Sequence, residues 1–210
     1  PVGRTAPDAD RPIRHGPRRP PMSLDLLFFE PADDPPTHRD DIVAALAAEP
    51  GVELHGAGAY RPWRWRDPHT GAVCTGDCGT PPLEDDDTHP DKQYPGWRAL
   101  PLALHIPLGV AHWHCVECGN LCDRLLAALP GSALLNTEEE GAEGAAVEPG
   151  PLDRIRLLAT WEQLHAAQSA GRADCWRMPR RASLALWRYR RECARGRREH
   201  PHLVWPGALA

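Results

Sequence analysis

The stretch Leu24-Asp25-Leu26-Leu27-Phe28-Phe29 is apolar on both faces after Asp25. Alternate side chains of a strand point to opposite faces, so a run apolar in both registers belongs inside a sheet. The rest of the chain must therefore supply partner strands and a covering layer. Thr37 and Asp40 have the N-cap and N3 spacing of a helix start, and Ile42, Val43 and Leu46 follow at helical intervals before Pro50-Gly51. A second strand is expected over 52–60. Trp63 and Trp65 alternate with Arg64 and Arg66, which predicts a strand with one aromatic face. Asp67-Pro68-His69-Thr70-Gly71 reads as a turn, and Ala72 to Thr75 as the returning strand.

Residues 76–98 are rich in Gly, Pro and Asp and read as a long surface loop. Leu100 to Leu108 is apolar again, although Pro101 and Pro107 would confine such a strand to an edge, or place the prolines at its ends. A helix over Asn120–Leu129, closed by Pro130-Gly131, and a short strand over Ser132–Asn136 complete the pattern. The order is strand, helix, two or three strands, helix, strand. That order predicts an α+β or α/β domain, with a ferredoxin-like sandwich as its architecture.

The flanks differ from this central part. Residues 1–21 carry five Arg and six Pro with almost nothing to bury, the composition of a disordered extension ahead of Met22. Residues 138–150 are acidic and Gly-rich and read as a linker. Pro151–Ala170 and Arg181–Arg195 then form a C-terminal helical pair, the second with an Arg-rich outer face. The expected organisation is thus 1–21 extension, 22–137 α/β domain, 138–150 linker and 151–210 helical unit.

Charge narrows the function classes. The net charge is −5, whereas nucleic-acid-binding domains are usually strongly basic. Lys92 is the only lysine among 24 basic residues, an Arg-heavy usage that, with abundant Ala and Pro, points to a GC-rich bacterial genome. No apolar run is long enough for a membrane-spanning helix, and no secretory apolar core follows the basic start. The seven cysteines cannot all pair within one chain. In a reducing cytoplasm, the expected location, clustered cysteines are metal ligands or core residues.

The sharpest local pattern is Cys74-x3-Cys78-Gly79 followed by His112-x-His114-Cys115-x2-Cys118-Gly119-Asn120 and Cys122. Cys-x2-Cys-Gly resembles a zinc knuckle, in which a tight turn aims two thiolates at one ion. Four thiolates complete a structural zinc site. Cys74, Cys78, Cys115 and Cys118 supply four, with His112, His114 and Cys122 in reserve and Asn120 capping the following helix. The same spacing has a second reading. If the helix starts near Ala111, then Cys115, Cys118, Cys122, Leu125 and Leu129 fall on one face and the cysteines are small apolar core residues.

Other candidates are weaker in pattern. Glu84-Asp85-Asp86-Asp87 with His89 and Asp91 could gather a hard divalent cation and serve an enzyme, or simply be a solvated loop. His105 lies in an apolar strand and would point away from the face of Leu104 and Ile106. No Gly-x-Ser-x-Gly elbow and no phosphate-binding glycine loop occurs, so no motif assigns an enzyme. The Arg-rich helix, with Trp187 and Tyr189 interleaved, could grip a phosphate backbone. The expectation that fits a motif-poor, charge-asymmetric chain is a non-enzymatic protein that binds another protein, such as an immunity or accessory protein. The acidic loop at Asp85, Asp86 and Asp87 and the basic helix at Arg188 and Arg191 are its candidate contacts. A zinc-stabilised module is the alternative, and a divalent-metal enzyme or nucleic-acid binder comes after it.

Overall fold

The structure, a computed structural model, describes residues 22–79, 94–138, 147–170 and 178–204. Among the described residues six strands and four helices follow one another: β1 (Ser23–Pro31), α1 (Arg39–Ala48), β2 (Val52–Leu54), β3 (Arg61–Arg66), β4 (Val73–Cys78), β5 (Trp97–Pro107), α2 (Trp113–Ala128), β6 (Ala133–Asn136), α3 (Arg154–Ser169) and α4 (Arg180–Glu199). The chain is mixed α+β with two C-terminal helices. The strands form one sheet in the order β2-β3-β4-β5-β1-β6, and every neighbouring pair is antiparallel. The apolar β1 is interior, flanked by β5 and β6. Four strands, rather than two or three, separate α1 from α2, so the sheet is wider than a four-stranded ferredoxin-like sandwich.

Two sequence expectations are corrected here. Pro101 lies inside a central strand, not at an edge. The register with β1 slips between Leu27, opposite Ala103, and Phe29, opposite Ala99. Pro101 sits within the residues that bulge there, and a bulge tolerates a residue with no N–H to donate. Thr37 does not cap α1 either. The cap position is His38, without a side-chain cap bond, and the Thr37 hydroxyl donates instead to Glu30 Oε2 at 2.6 Å. Glu30 is buried, also accepts the Thr37 N–H and is held by Arg98 Nε at 2.6 Å. This network fixes the β1–α1 loop.

All four helices contribute to one side. Leu24, Leu26 and Phe28 of β1, Leu100 to Ile106 on alternate positions of β5, and Trp63 and Trp65 of β3 share a single core with Ile42 and Leu46 of α1 and with Cys118, Leu121 and Leu125 of α2. Leu157 and Trp161 of α3 belong to the same core, and the Trp187 ring of α4 packs against it. Gly76 of β4 explains how the broad indole of Trp63 fits. The two residues are cross-strand partners, and a Cβ at Gly76 would lie 2.3 Å from the indole and 2.2 Å from the Ala103 carbonyl. Gly119 is different: a Cβ there would meet Leu157 at an ordinary 3.5 Å.

Candidate binding surface

Among the described residues no helix packs on the other side of the sheet. Residues facing it alternate with the core residues along each strand, and the register aligns them into a row. Glu53 of β2 is opposite Arg64 of β3, Arg64 is opposite Thr75 of β4, Thr75 is opposite His105 of β5, and His105 is opposite Asp25 of β1. Five residues scattered over the chain thus cross five strands in one line. His105 points away from the face of Leu104 and Ile106, as its strand position requires.

The centre of this row is locked. His105 Nδ1 lies 2.8 Å from Asp25 Oδ1 and Nε2 lies 3.1 Å from Asp77 Oδ2. The bond to Asp25 leads in holding the imidazolium, so the His105 pKa is pushed up to about 8 against the opposing effect of burial. Both ring nitrogens then donate. Burial works against the ionised Asp25, but hydrogen bonds from His105 and Ser23 outweigh it and keep its pKa below the usual value. Ser23 Oγ donates to Asp25 Oδ1 at 2.7 Å. The Tyr60 hydroxyl is bound to Asp77, which pushes its pKa up to about 12. The chemistry is that of a fixed array. A serine nucleophile needs its hydroxyl on a basic imidazole, and here Ser23 donates to a carboxylate while His105 is the acid of two ion pairs. Beside the locked centre, Arg64 and Arg66 are exposed on the same face.

The cysteines of the knuckle pattern divide. Cys74 and Cys78 both face the core from β4. Four residues apart on a strand, they are separated by about 13 Å along it. Thiolates bound to one zinc, each about 2.3 Å from the ion, must be far closer. Cys78 sits by the Arg39 and Arg61 guanidiniums, and burial raises its pKa despite them. Cys115, Cys118 and Cys122 lie on the buried face of α2 with Leu121 and Leu125. The helix begins at Trp113, so Asn120 lies within it and caps nothing; this is the arrangement of the helical reading of the spacing. The structure brings Cys74 to Cys118, whose Sγ lies 3.9 Å from the Val73 carbonyl. Burial raises the pKa of Cys115, Cys118 and Cys122 well above the usual thiol value. Among the described residues no three His, Cys, Asp or Glu side chains are placed to hold a metal ion.

The reserve histidines are engaged elsewhere. His114 Nδ1 accepts the Val73 N–H at 3.2 Å, and burial lowers its pKa to about 4, which keeps it a neutral acceptor. His112 is buried, with Nε2 at 3.1 Å from Glu162 Oε1, and burial lowers its pKa as well. Of the candidate partner contacts, Asp85, Asp86 and Asp87, with His89, lie outside the described residues. Arg188 is exposed on α4. Arg191 is also exposed but has partners: its Nη1 is 3.4 Å from Glu117 Oε1 and its guanidinium lies over the Trp187 ring at 5.3 Å.

A cleft of about 530 Å³ runs beside this pair and includes Glu49, Arg124, Asp123 and Arg154 in its walls. Its charges are matched. Arg124 Nε is 2.7 Å from Glu49, Arg154 pairs with Asp123, and the buried Glu117 also accepts from Trp187 Nε1 at 2.6 Å and Asn120 Nδ2 at 2.7 Å. Arg154–Asp123 docks α3 onto α2, Trp187 and Arg191 on Glu117 dock α4 onto it, and Arg124–Glu49 ties α2 to the end of α1.

Sequence reasoning found His105 and the Arg64/Arg66 alternation but not the row. Asp25, Glu53, Thr75 and Asp77 carry no local signal, because the row is a property of register. No family of known proteins, no curated protein and no solved structure matches the chain. Among the described residues no helix is long and apolar enough to cross a membrane.

Proposed function

We propose that this chain is a non-enzymatic protein that works by binding an acidic protein partner on the open face of its sheet. The single observation that carries the reading is the polar row. Asp25, His105, Asp77, Ser23 and Tyr60 bind one another, while Arg64 and Arg66 beside them are exposed and, among the described residues, form no ion pair. A rigid, pre-satisfied array flanked by two extended guanidiniums suits recognition. The array needs no reordering on contact, and arginines form bidentate bonds with carboxylates. An immunity protein or accessory factor in a bacterial cytoplasm is the biological role that fits such a chain.

The test compares the intact protein with an Arg64→Glu/Arg66→Glu variant as bait, with and without nuclease. A protein retained by the first and lost by the second, with retention that weakens as salt rises, supports the reading. Equal recovery by both baits, or retention that nuclease abolishes, overturns it.

A further inference from the structure

We propose that Cys74 and Cys118 form a redox pair, joined by a glutathione-type disulfide oxidant into one bond between β4 and α2. Six cysteines are described and all are free and buried. The sequence spacing favours local partners, Cys115-x2-Cys118 and Cys74-x3-Cys78. Geometry favours a different choice. Cys74 and Cys78 are four strand residues apart, about 13 Å. Cys115 and Cys118 are both inside α2, where positions i and i+3 stand about 5–6 Å apart at Cβ, against roughly 3.8 Å in a disulfide. Cys118 instead faces β4: its Sγ is 3.9 Å from the carbonyl of Val73, the residue bonded to Cys74, and both Cys118 and Cys74 belong to the core between α2 and β4. The side chains of Cys74 and Cys118 are 1% and 0% exposed, so the contact is made inside the core and not by two surface thiols that happen to pass.

The reaction balances with the oxidant named. A thiolate from one cysteine attacks glutathione disulfide and releases one glutathione. The second thiolate then displaces the other glutathione from the mixed disulfide. Two protein thiols become one disulfide, and one glutathione disulfide becomes two glutathiones. Because both native thiols are buried, the first attack runs through conformers in which α2 lifts from the sheet. The product ties together two elements distant in sequence, which restricts the unfolded chain.

The test uses the full chain with glutathione disulfide, in urea below the unfolding transition. Cleavage at Glu117 and at Asp77 separates Cys115 from Cys118 and Cys74 from Cys78, and fragmentation distinguishes Cys118 from Cys122. The expected result is a dominant Cys74–Cys118 cross-link, a mass loss of about two hydrogens that dithiothreitol reverses, and a Tm raised on the order of 5 °C. Cys115→Ser should keep the cross-link and Cys118→Ala should lose it. The mapping on the unaltered protein stands even if a variant misfolds. A dominant bond between any other two cysteines, a mixed glutathione adduct that never closes, or thiols that all remain free would each overturn the proposal.

Discussion

The two faces of the sheet use the same strands for opposite purposes. On β4, Cys74, Gly76 and Cys78 turn into a dry core, while Thr75 and Asp77 turn to the polar row. On β5, Leu104 is fully buried and its neighbour His105 is an imidazolium between two carboxylates. The inner face is held by shape, the outer by charge. Shape fails steeply when violated, since interiors are close-packed. Charge at a half-exposed site is screened by water and yields gradually. The difference between the faces can therefore be measured residue by residue.

The largest effect is expected at Gly76→Ala. The added methyl has no room between Trp63 and the Ala103 carbonyl, and overpacking of this kind should cost about 3 kcal/mol in a urea melt. Its neighbour Thr75→Ala, on the outer face, should stay within about 0.5 kcal/mol. Equal losses at the two sites would erase the contrast. Leu104→Ala should likewise cost about 3 kcal/mol through a core cavity.

His105 comes next, through pH. Its pKa is raised in the folded state, so its stabilisation is fully present below its ordinary value of 6.5 and fades as pH rises through about 8. Unfolding free energy should drop by about 1 kcal/mol between pH 6 and pH 9, after allowance for partial exposure. His105→Gln should flatten that slope, and a slope unchanged in the variant would place its origin elsewhere. Asp25 acts at the other end, because its lowered pKa adds stability that is lost as the solution becomes strongly acidic.

Gly119→Ala should run in the opposite direction. The methyl meets Leu157 at ordinary contact distance, and alanine is the better helix former, so a gain of about 0.5–1 kcal/mol is expected. A loss would mean that α2 and α3 pack more tightly than their contact distance implies. The smallest effect on stability is expected at Arg64→Glu/Arg66→Glu, within about 0.5 kcal/mol by thermal melt. That variant separates the open face's role in binding from any role in folding.

Much of the fold was legible. The alternating Trp63 and Trp65, the doubly apolar β1 and the two C-terminal helices follow from periodicity, which records which face is dry. The misreadings share one cause. Pro101 obeyed the rule that excludes proline from regular ladders, but the bulge opposite Phe28 is made by two strands together. Thr37 had a capping residue's chemistry, yet the buried Glu30 took its hydroxyl. The cysteine spacing is a separate case: it allows both a turn and a helix face, and in the structure Cys115, Cys118 and Cys122 lie on the buried face of α2.

The sequence by itself determined the elements, the buried side of each and the asymmetry of charge, because these depend on neighbours a few residues away. Register and helix placement were decided only by the tertiary structure. They set Asp25, Glu53, Arg64, Thr75 and His105 in one line, put Cys118 against β4 beside Cys74, and brought the exposed Arg191 to the buried Glu117. Each of these pairs joins residues remote along the chain. What brings them together is the requirement that a whole sheet face and a whole helix face be buried at once, a condition no short stretch of sequence can state.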